Sequence, residues 1–355
     1  MPPREGLNRI LIVTDAWHPQ VNGVVRTIMN TQAELERMGW EVVLITPREY
    51  RTVPCPSYPE IRLSITTSGA VESRIRRLRP DAIHIATEGP LGWAARNACM
   101  RNEWKFTTAY HTRFPEYVHA RTKLPLAWFY SLFRRFHAPS SAVLAPTPAI
   151  IKDLESRGFE RVQFWSRGVD HKIFFPRIQQ QSANPEHPIW LYAGRLAIEK
   201  NVEAFLELDL PGEKWVAGEG PLEAGLKRRY QNVRWIGVIS QHELADLYSR
   251  ADVFVFPSKT DTFGLVMVEA MACGLPVAAY PVAGPLDVLG ESGAGVMDLD
   301  LRQACLKSLT ISREQAIARA QVFTWRLATE QFIAAHPPAG VVATPKYEFA
   351  AKGSV

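Results

Sequence analysis

This chain has no apolar run of the ~20 residues that a membrane-spanning helix requires. It holds only four cysteines, Cys55, Cys99, Cys273 and Cys305, scattered and without a CxxC spacing, which argues against a disulfide framework and against a zinc site. They read as free thiols of a reducing compartment. The opening "MPPREGLNRILIVTDAW" contains one short strand-like run and lacks the apolar core of a secretory leader, so the cytoplasm is the expected address. A GxGxxG fingerprint is missing as well, which counts against a dinucleotide cofactor. The composition does not suit a disordered or fibrous chain: 46% of residues are apolar and 22% charged.

What is present falls into two halves. At 355 residues the chain exceeds one ordinary core, and two domains are expected. Short β-branched runs alternate with helical stretches: "RILIVTDA", "EVVLITP", "DAIHIAT", "KFTTAYHT" and "SAVLAPT" first, then "IWLYAGRL", "EKWVAGEGP", "VRWIGVI", "ADVFVFPS" and "LPVAAYPV". Continuous apolar strands with helices between them mark parallel sheets covered on both faces, so each half is expected to be a doubly wound α/β domain of about five strands. The polar, Pro-flanked "RIQQQSANPEHP" (177–188) is the expected linker between a first domain, 1–176, and a second, 189–322. A last helix is expected over 323–336, and 337–355 reads as a loosely held tail. Charge divides unevenly: residues 1–175 hold 24 Lys and Arg against 16 Asp and Glu, and the remainder 17 against 20. A basic first half suits an anionic contact, whether lipid headgroups, nucleic acid or an acidic substrate.

In open parallel sheets ligands collect at the carboxyl ends of strands. "TDAWHPQVNGVVRT" leaves the first strand and enters a helix through Gly23, where bare backbone and the helix start can meet a ligand; a plain helix-starting turn is the equal alternative. "YAGRLAIEKN" sets Arg195 at a strand end and Lys200 at the next helix start. Two cations there suit a diphosphate, against the bland account of a solvated surface pair. "VAGEGP" offers Gly218, and "RWIGV" offers Ile236 with backbone that can read the edge of a base; each is as readily an ordinary turn. The most informative stretch is "KTDTFGLVMVEAMACGLPV" (259–277). Thr262-Phe263-Gly264 lead into a helix whose first N–H groups and dipole attract an anion. The flanking Asp261 and Glu269 repel one, but a carboxylate accepts from vicinal hydroxyls and so suits the sugars of the same ligand. The competing account, a cap and a surface acid, fits poorly with an acid set in "VMVEAMA". These parts together describe a site for a nucleoside diphosphate that carries a sugar.

"GRLAIEKN", "AGEGP" and "TDTFGLVMVEAMACGLPV" resemble the donor-binding half of retaining GT-B glycosyltransferases of family four. "TDAWHPQVNGVVRT" and "LERMGWEV" resemble the Gly-containing acceptor-side loop of that family, and the match extends over residues 9 to 335. The resemblance implies a GT-B fold of two Rossmann-like domains facing across a cleft, with the C-terminal helix crossing back to the first domain. It implies that Glu269 binds the ribose and that Asp261, with the N–H groups of Phe263, Gly264 and Leu265, holds the transferred sugar. Arg195 and Lys200 would hold the diphosphate, with Gly23 approaching from the other domain and Gly218 and Ile236 lining the donor site. His111, in "TTAYHTRFPEY", would contact the sugar near the reacting carbon; by itself it reads as an ordinary hydrogen-bonding histidine. The family commonly has Glu where this chain has Asp261. The implied chemistry is front-face attack with retention, the departing diphosphate stabilised by Arg195, Lys200 and the helix start. Neither a cofactor nor a metal is expected, the nucleotide sugar being a substrate.

For the acceptor, "RTKLPLAWFYSLFRRFH" (121–137) places Leu124, Trp128, Phe129, Leu132, Phe133 and Phe136 along one expected helical face, beside Arg121, Lys123, Arg134 and Arg135. That suits a helix at an anionic membrane surface, with a core helix as the equal alternative. "SRIRRLRP" adds Arg74, Arg76, Arg77 and Arg79 as an expected cationic patch. "HTRFPEY" and "FWSRGVD" resemble family branches that glycosylate diacylglycerol or that use GDP-mannose on lipid acceptors. The leading expectation is therefore a hexosyltransferase moving a hexose from a UDP-sugar to a lipid, diacylglycerol foremost, while peripherally associated with the inner face of the plasma membrane. A GDP-mannose-dependent mannosyltransferase is the alternative, and a nucleotide-sugar epimerase or hydrolase the alternative of another class. A nucleic-acid binder ranks last, because it leaves the acids and glycine turns of the second half without a purpose.

Overall fold

The protein is described by a computed structural model over residues 9–20, 22–55, 58–177 and 187–338. Residues 178–186 of the expected linker and 339–355 of the expected tail lie outside the described residues. The first half runs β1 (Arg9–Val13), α1 (Gly23–Arg37), β2 (Glu41–Ile45), the hairpin β3 (Arg51–Cys55) and β4 (Tyr58–Ile65), α2 (Ser68–Leu78), β5 (Ala82–Ile85) and α3 (Pro90–Arg101). It continues through β6 (Thr107–Ala109), α4 (Phe114–Thr122), α5 (Leu126–His137), β7 (Val143–Ala145), α6 (Pro148–Ser156) and β8 (Val162–Phe164). The second half runs β9 (Ile189–Ala193), α7 (Val202–Leu206), β10 (Glu213–Ala217), α8 (Glu223–Arg229), β11 (Val233–Gly237), α9 (Gln241–Arg250) and β12 (Val253–Phe256). After these come α10 (Leu265–Ala272), β13 (Val277–Ala279), α11 (Ala283–Leu289), β14 (Gly295–Met297), α12 (Leu301–Ser308), α13 (Arg313–Ala320) and α14 (Trp325–Ala334).

Each half builds a parallel six-stranded sheet, in the orders β2-β1-β5-β6-β7-β8 and β11-β10-β9-β12-β13-β14. The expectation of about five strands falls short because β8 and β14, three residues each and only partly covered, close the sheet edges. Successive residues of β1 serve opposite faces. Leu11 and Val13 join Val71 and Leu91 on one side, while Ile10 and Ile12 join Ile28 and Leu35 on the other. Helices on both faces explain why the strands read as unbroken apolar runs.

The chain does not end in the domain where its second half folds. α14 leaves the second domain and lays Trp325, Ala328 and Phe332 into the first domain's core against Ile10, Ile12 and Trp165. Gly168 permits this, since a Cβ there would stand 2.2 Å from the Trp325 nitrogen. His336 then closes the crossing, its Nε2 2.5 Å from Thr107 Oγ1 on β6.

In both sheets the strand order reverses once, between β1 and β5 and between β9 and β12. Loops at such a reversal part and leave a crevice at the strands' carboxyl ends. The candidate site is formed there.

Candidate active site

In the second domain the loops leaving β9 and β12 meet across the reversal. The first delivers Lys200 and the second Asp261, and the Lys200 ammonium donates directly to Asp261 Oδ1. Burial works against the ammonium, but Asp261, Tyr192 and Glu199 more than offset it and hold the amine above its ordinary value. Asp261 Oδ2 is buried and has no hydrogen-bonding partner among the described residues. Arg195 stands half-exposed in the same loop, its carbonyl fixed by the Tyr192 hydroxyl at 2.8 Å.

The helix start expected after Asp261 is α10. Gly264 is its N-cap with φ +88°, a left-handed conformation, and it offers no side chain to cap the first amides. A Cβ at Gly264 would come within 2.7 Å of Met267 Cε and 2.9 Å of Phe256 Cζ, so the core behind also demands glycine. Phe263 contributes only backbone to the crevice, because its ring packs edge-on against Phe323. One turn on, Glu269 is 5% exposed. The surface-acid account therefore fails for it.

The partner of Glu269 comes from the other domain. Arg26 of α1 donates to Glu269 Oε1 at 2.7 Å. Burial raises the Glu269 carboxyl above the usual range, and the Arg26 guanidinium pulls it back down. Oε2 makes no well-formed hydrogen bond among the described residues, although the Tyr248 hydroxyl lies close enough to help lower the carboxyl.

The start of α1 faces the start of α10. A Cβ on Gly23 would lie 3.8 Å from Leu265 Cδ1, an ordinary contact, so protein packing does not by itself require the glycine. Asn22 caps the amides of Val24 and Val25, each at 3.0 Å. A third helix start, that of α3, is already occupied. Asp15 takes the amides of Leu91 and Gly92 at 2.9 and 3.0 Å, and burial raises its carboxyl despite them. At α1 Asn22 likewise takes two amides and leaves that of Gly23, whereas no side chain caps α10, so anion-binding capacity remains chiefly at α10, with the start of α1 facing it across the cleft.

His111 follows β6 on the first domain's side of the cleft. Its carbonyl accepts from Thr262 Oγ1 at 2.7 Å, which ties it to the loop carrying Asp261. Its ring stands edge-on to Trp165, with Nδ1 3.2 Å from the Arg167 guanidinium. Burial, Arg167 and His137 together hold the imidazole well below its ordinary value. Tyr117 of α4 approaches the same loop, close to Thr260 and Asp261.

Other expected residues stand apart from this cluster. Gly218 has φ +124°, and a Cβ there would meet the Gly194 carbonyl oxygen at 2.0 Å, so the close passage of two backbone segments already accounts for it. Ile236 is half-buried and packs on the second domain's core. The expected apolar face of α5 is one arc about 140° wide from Trp128 through Leu132, Phe136 and Phe129 to Phe133, and burial divides it. Phe136 is buried and Phe133 packs on the core beneath, while Trp128 and Leu132 are 65% and 49% exposed. Leu124 precedes the helix and is exposed. Arg134 and Arg135 are both exposed, Arg135 beside Trp128 and Leu132 and Arg134 on another side, donating to the Arg157 carbonyl at 3.2 Å. The α2 patch is likewise more neutral than expected, since Arg74 pairs with Glu49 at 3.0 Å and Arg76 with Glu72 at 3.1 Å.

Sequence reasoning passed over Arg26, Arg167 and Tyr117. It also passed over the acidic triplet Asp298-Leu299-Asp300, a pattern that can hold a metal. Here Asp298 pairs with Lys307 and Asp300 caps α12, so both acids have structural partners. Among the described residues there is no group of three or more His, Cys, Asp or Glu placed to share a metal ion.

Comparison with known proteins gives the family. The family model described as Glycosyltransferase Family 4 matches residues 21–173, and that described as Glycosyl transferases group 1 matches residues 174–297. A sulfoquinovosyl transferase of Arabidopsis thaliana is 30% identical over 92% of this chain and 73% of its own length. A GDP-mannose-dependent alpha-mannosyltransferase of Mycobacterium tuberculosis is 30% identical over 81% of this chain and 83% of its own. An alpha-monoglucosyldiacylglycerol synthase of Streptococcus pneumoniae is 28% identical over 77% and 71%. Among solved structures, sucrose-phosphate synthase from Thermosynechococcus elongatus superposes with a TM-score of 0.71 at 20% identity, covering 92% of this chain and 97% of that one.

Proposed function

We infer that this chain, which belongs to the glycosyltransferases of family 4 and has their GT-B fold, moves a hexose from a UDP-sugar to a lipid acceptor, diacylglycerol foremost, with retention of configuration. That it is a glycosyltransferase using a nucleotide sugar follows from its family. The observation that supports the finer reading is the crevice itself. Two helix starts face each other, Lys200 pairs with Asp261 in the loop that leads into one of them, and the buried Glu269 and partly buried Asp261 each keep one oxygen without a well-formed hydrogen bond.

In this reading the diphosphate lies between the starts of α1 and α10, neutralised by Arg195 and Lys200. Glu269 accepts from the ribose hydroxyls through Oε2, and Asp261 accepts from the transferred sugar through Oδ2. His111 contacts that sugar near its reacting carbon. The acceptor oxygen forms a bond to the anomeric carbon on the face from which the diphosphate departs. The bond from that carbon to the phosphate oxygen breaks, and the acceptor's proton passes to the diphosphate. Charge developing on the leaving group is met by cations and helix amides already in place, so the reading assigns the step no metal.

The lipid acceptor is supported by the outer side of α5, where Trp128 and Leu132 are exposed next to Arg135. It is supported also by similarity to an enzyme named for making monoglucosyldiacylglycerol. Among the described residues no helix is long and apolar enough to cross a membrane, so the reading places the protein against the membrane surface, at its cytoplasmic face. Similarity to GDP-mannose-dependent enzymes supports mannose transfer as the second reading. The test is a panel of radiolabelled UDP-sugars and GDP-mannose offered with diacylglycerol vesicles. Label in the lipid extract from a UDP-sugar supports the first reading and label from GDP-mannose the second. Free sugar released equally with and without vesicles would overturn both.

A further inference from the structure

Arg167 is a buried cation without an acid. It is 3% exposed, and no carboxylate pairs with it among the described residues. Its guanidinium lies 4.2 Å above the Trp165 ring and donates to the carbonyls of Trp165 at 2.6 Å and Ser166 at 2.9 Å. The loop that carries it is held from several sides. Ser166 N–H donates to Gln331 at 2.8 Å, Val169 N–H to the Phe323 carbonyl at 3.1 Å, and Gly168 is in contact with the start of α14. The second terminal nitrogen, Nη2, reaches His111 Nδ1 at 3.2 Å.

A guanidinium only donates. For the contact to be a hydrogen bond, His111 Nδ1 must accept, which places the ring's single proton on Nε2. The opposite tautomer would set two N–H groups against each other. A protonated ring would do the same and add like charges at contact distance. The charged and titratable groups around His111 are Arg167, His137, which pairs with Glu88, and the buried His84 beside Trp165. None of these offers the imidazolium a direct counter-charge. Meanwhile Nε2 is shielded from solvent and has no partner among the described residues.

We propose that Arg167 is a positioning residue that locks His111 as the neutral Nε2–H tautomer, making His111 a fixed hydrogen-bond donor to an oxygen of the transferred sugar and removing it as a proton carrier. The sugar contact rests on the function proposed above; the tautomer does not. Nδ1 is committed to Arg167 and Nε2 already holds a proton, so the acceptor's proton has no vacant nitrogen to occupy. That leaves the departing diphosphate to take the proton in the front-face step proposed above.

Nitrogen NMR of the full-length protein with labelled histidine tests this, with His111 assigned by comparison with His111→Gln. The expected spectrum shows an unprotonated Nδ1 and a protonated Nε2 that do not titrate between about pH 5.5 and 8. In Arg167→Met the ring should become a mixture of tautomers and titrate in that range. An acid limb should then appear in kcat/KM, absent from the double variant with His111→Gln, and kcat should fall about tenfold with KM little changed. Arg167→Lys, which keeps a donor, should restore the single tautomer. A protonated Nδ1 in the wild type overturns the proposal even if Arg167→Met fails to fold, and so does an Arg167→Met spectrum identical to wild type. If the tautomer is as expected while His111→Gln turns over labelled donor at the wild-type rate, the sugar contact falls and the role of Arg167 in fixing the ring stands.

Discussion

The two walls of the cleft handle charge differently. The second domain's wall carries its acids and cations in register, and the Lys200–Asp261 pair is complete within that domain. The first domain's wall is nearly without acids at the site. It contributes Arg26 and Arg167 as cations and keeps His111, His84 and His336 neutral through burial. Arg167 itself is pulled down to about 9 by burial, yet stays charged at neutral pH. One wall is thus a ready polar socket, and the other is a mildly positive lid. The lesson lies in Glu269, a second-domain acid whose only ion-pair partner among the described residues belongs to the opposite wall. Its state reports whether the two walls have met.

The largest expected effect tests the socket. Asp261→Asn should lower kcat roughly 100-fold, the size expected for losing one group aimed at the reacting centre. The same change releases Lys200 from its acid, so nucleoside diphosphate should bind more tightly, as titration calorimetry would show. Weaker binding would mean that Lys200 does not face the diphosphate. Next, Glu269→Ala should weaken donor binding by about 2 kcal/mol, roughly 30-fold, the scale of a charge-assisted hydrogen bond. Unchanged affinity would end the ribose assignment.

A comparable effect should appear in the lid at low pH. Burial pulls His336 down to about 4, whereas in the unfolded chain it titrates near 6.5. Its contribution to stability is whole above the unfolded value and is lost as pH falls toward 4, because the unfolded chain takes up a proton that the folded chain refuses. Urea unfolding should show about 2 kcal/mol less stability at pH 5 from this residue. His336→Asn should flatten that dependence, and an equally steep curve in the variant would assign it elsewhere. The smallest effect sharpens the meeting of the walls. Arg26→Ala should weaken donor binding only about fivefold at pH 8, because ribose needs Oε2 and not Oε1. Without Arg26 the buried Glu269 protonates more readily, so the defect should grow as pH falls. A defect independent of pH would show that Arg26 serves another purpose.

Much of the socket was legible in the sequence because its residues are neighbours along the chain. Asp261, Gly264 and Glu269 declare a turn, a helix start and an acid too apolar in its surroundings to be a surface residue. The lid was hard to read because its chemistry is assembled by tertiary approach. Arg26 meets Glu269 across 243 positions, and within "NGVVRT" it reads as any arginine on an amphipathic helix. Arg167 lies in "FWSRGVD", where nothing local marks it as buried. The outer strands β8 and β14 escaped notice because three partly covered residues carry little periodicity, and Pro54 hides the β3–β4 hairpin. In α5 the sequence shows that aromatics are abundant but not how a few degrees of rotation divide them between core and solvent.

The return of α14 has a bearing on how the molecule is made. During synthesis the first domain emerges early, yet a strip of its core at Ile10, Ile12 and Trp165 awaits Trp325 and Phe332, which leave the ribosome more than a hundred residues later. Until then that strip stands open to solvent or to chaperones. A chain cut short before residue 325 therefore loses two domains at once, one unfinished and the other unmoored.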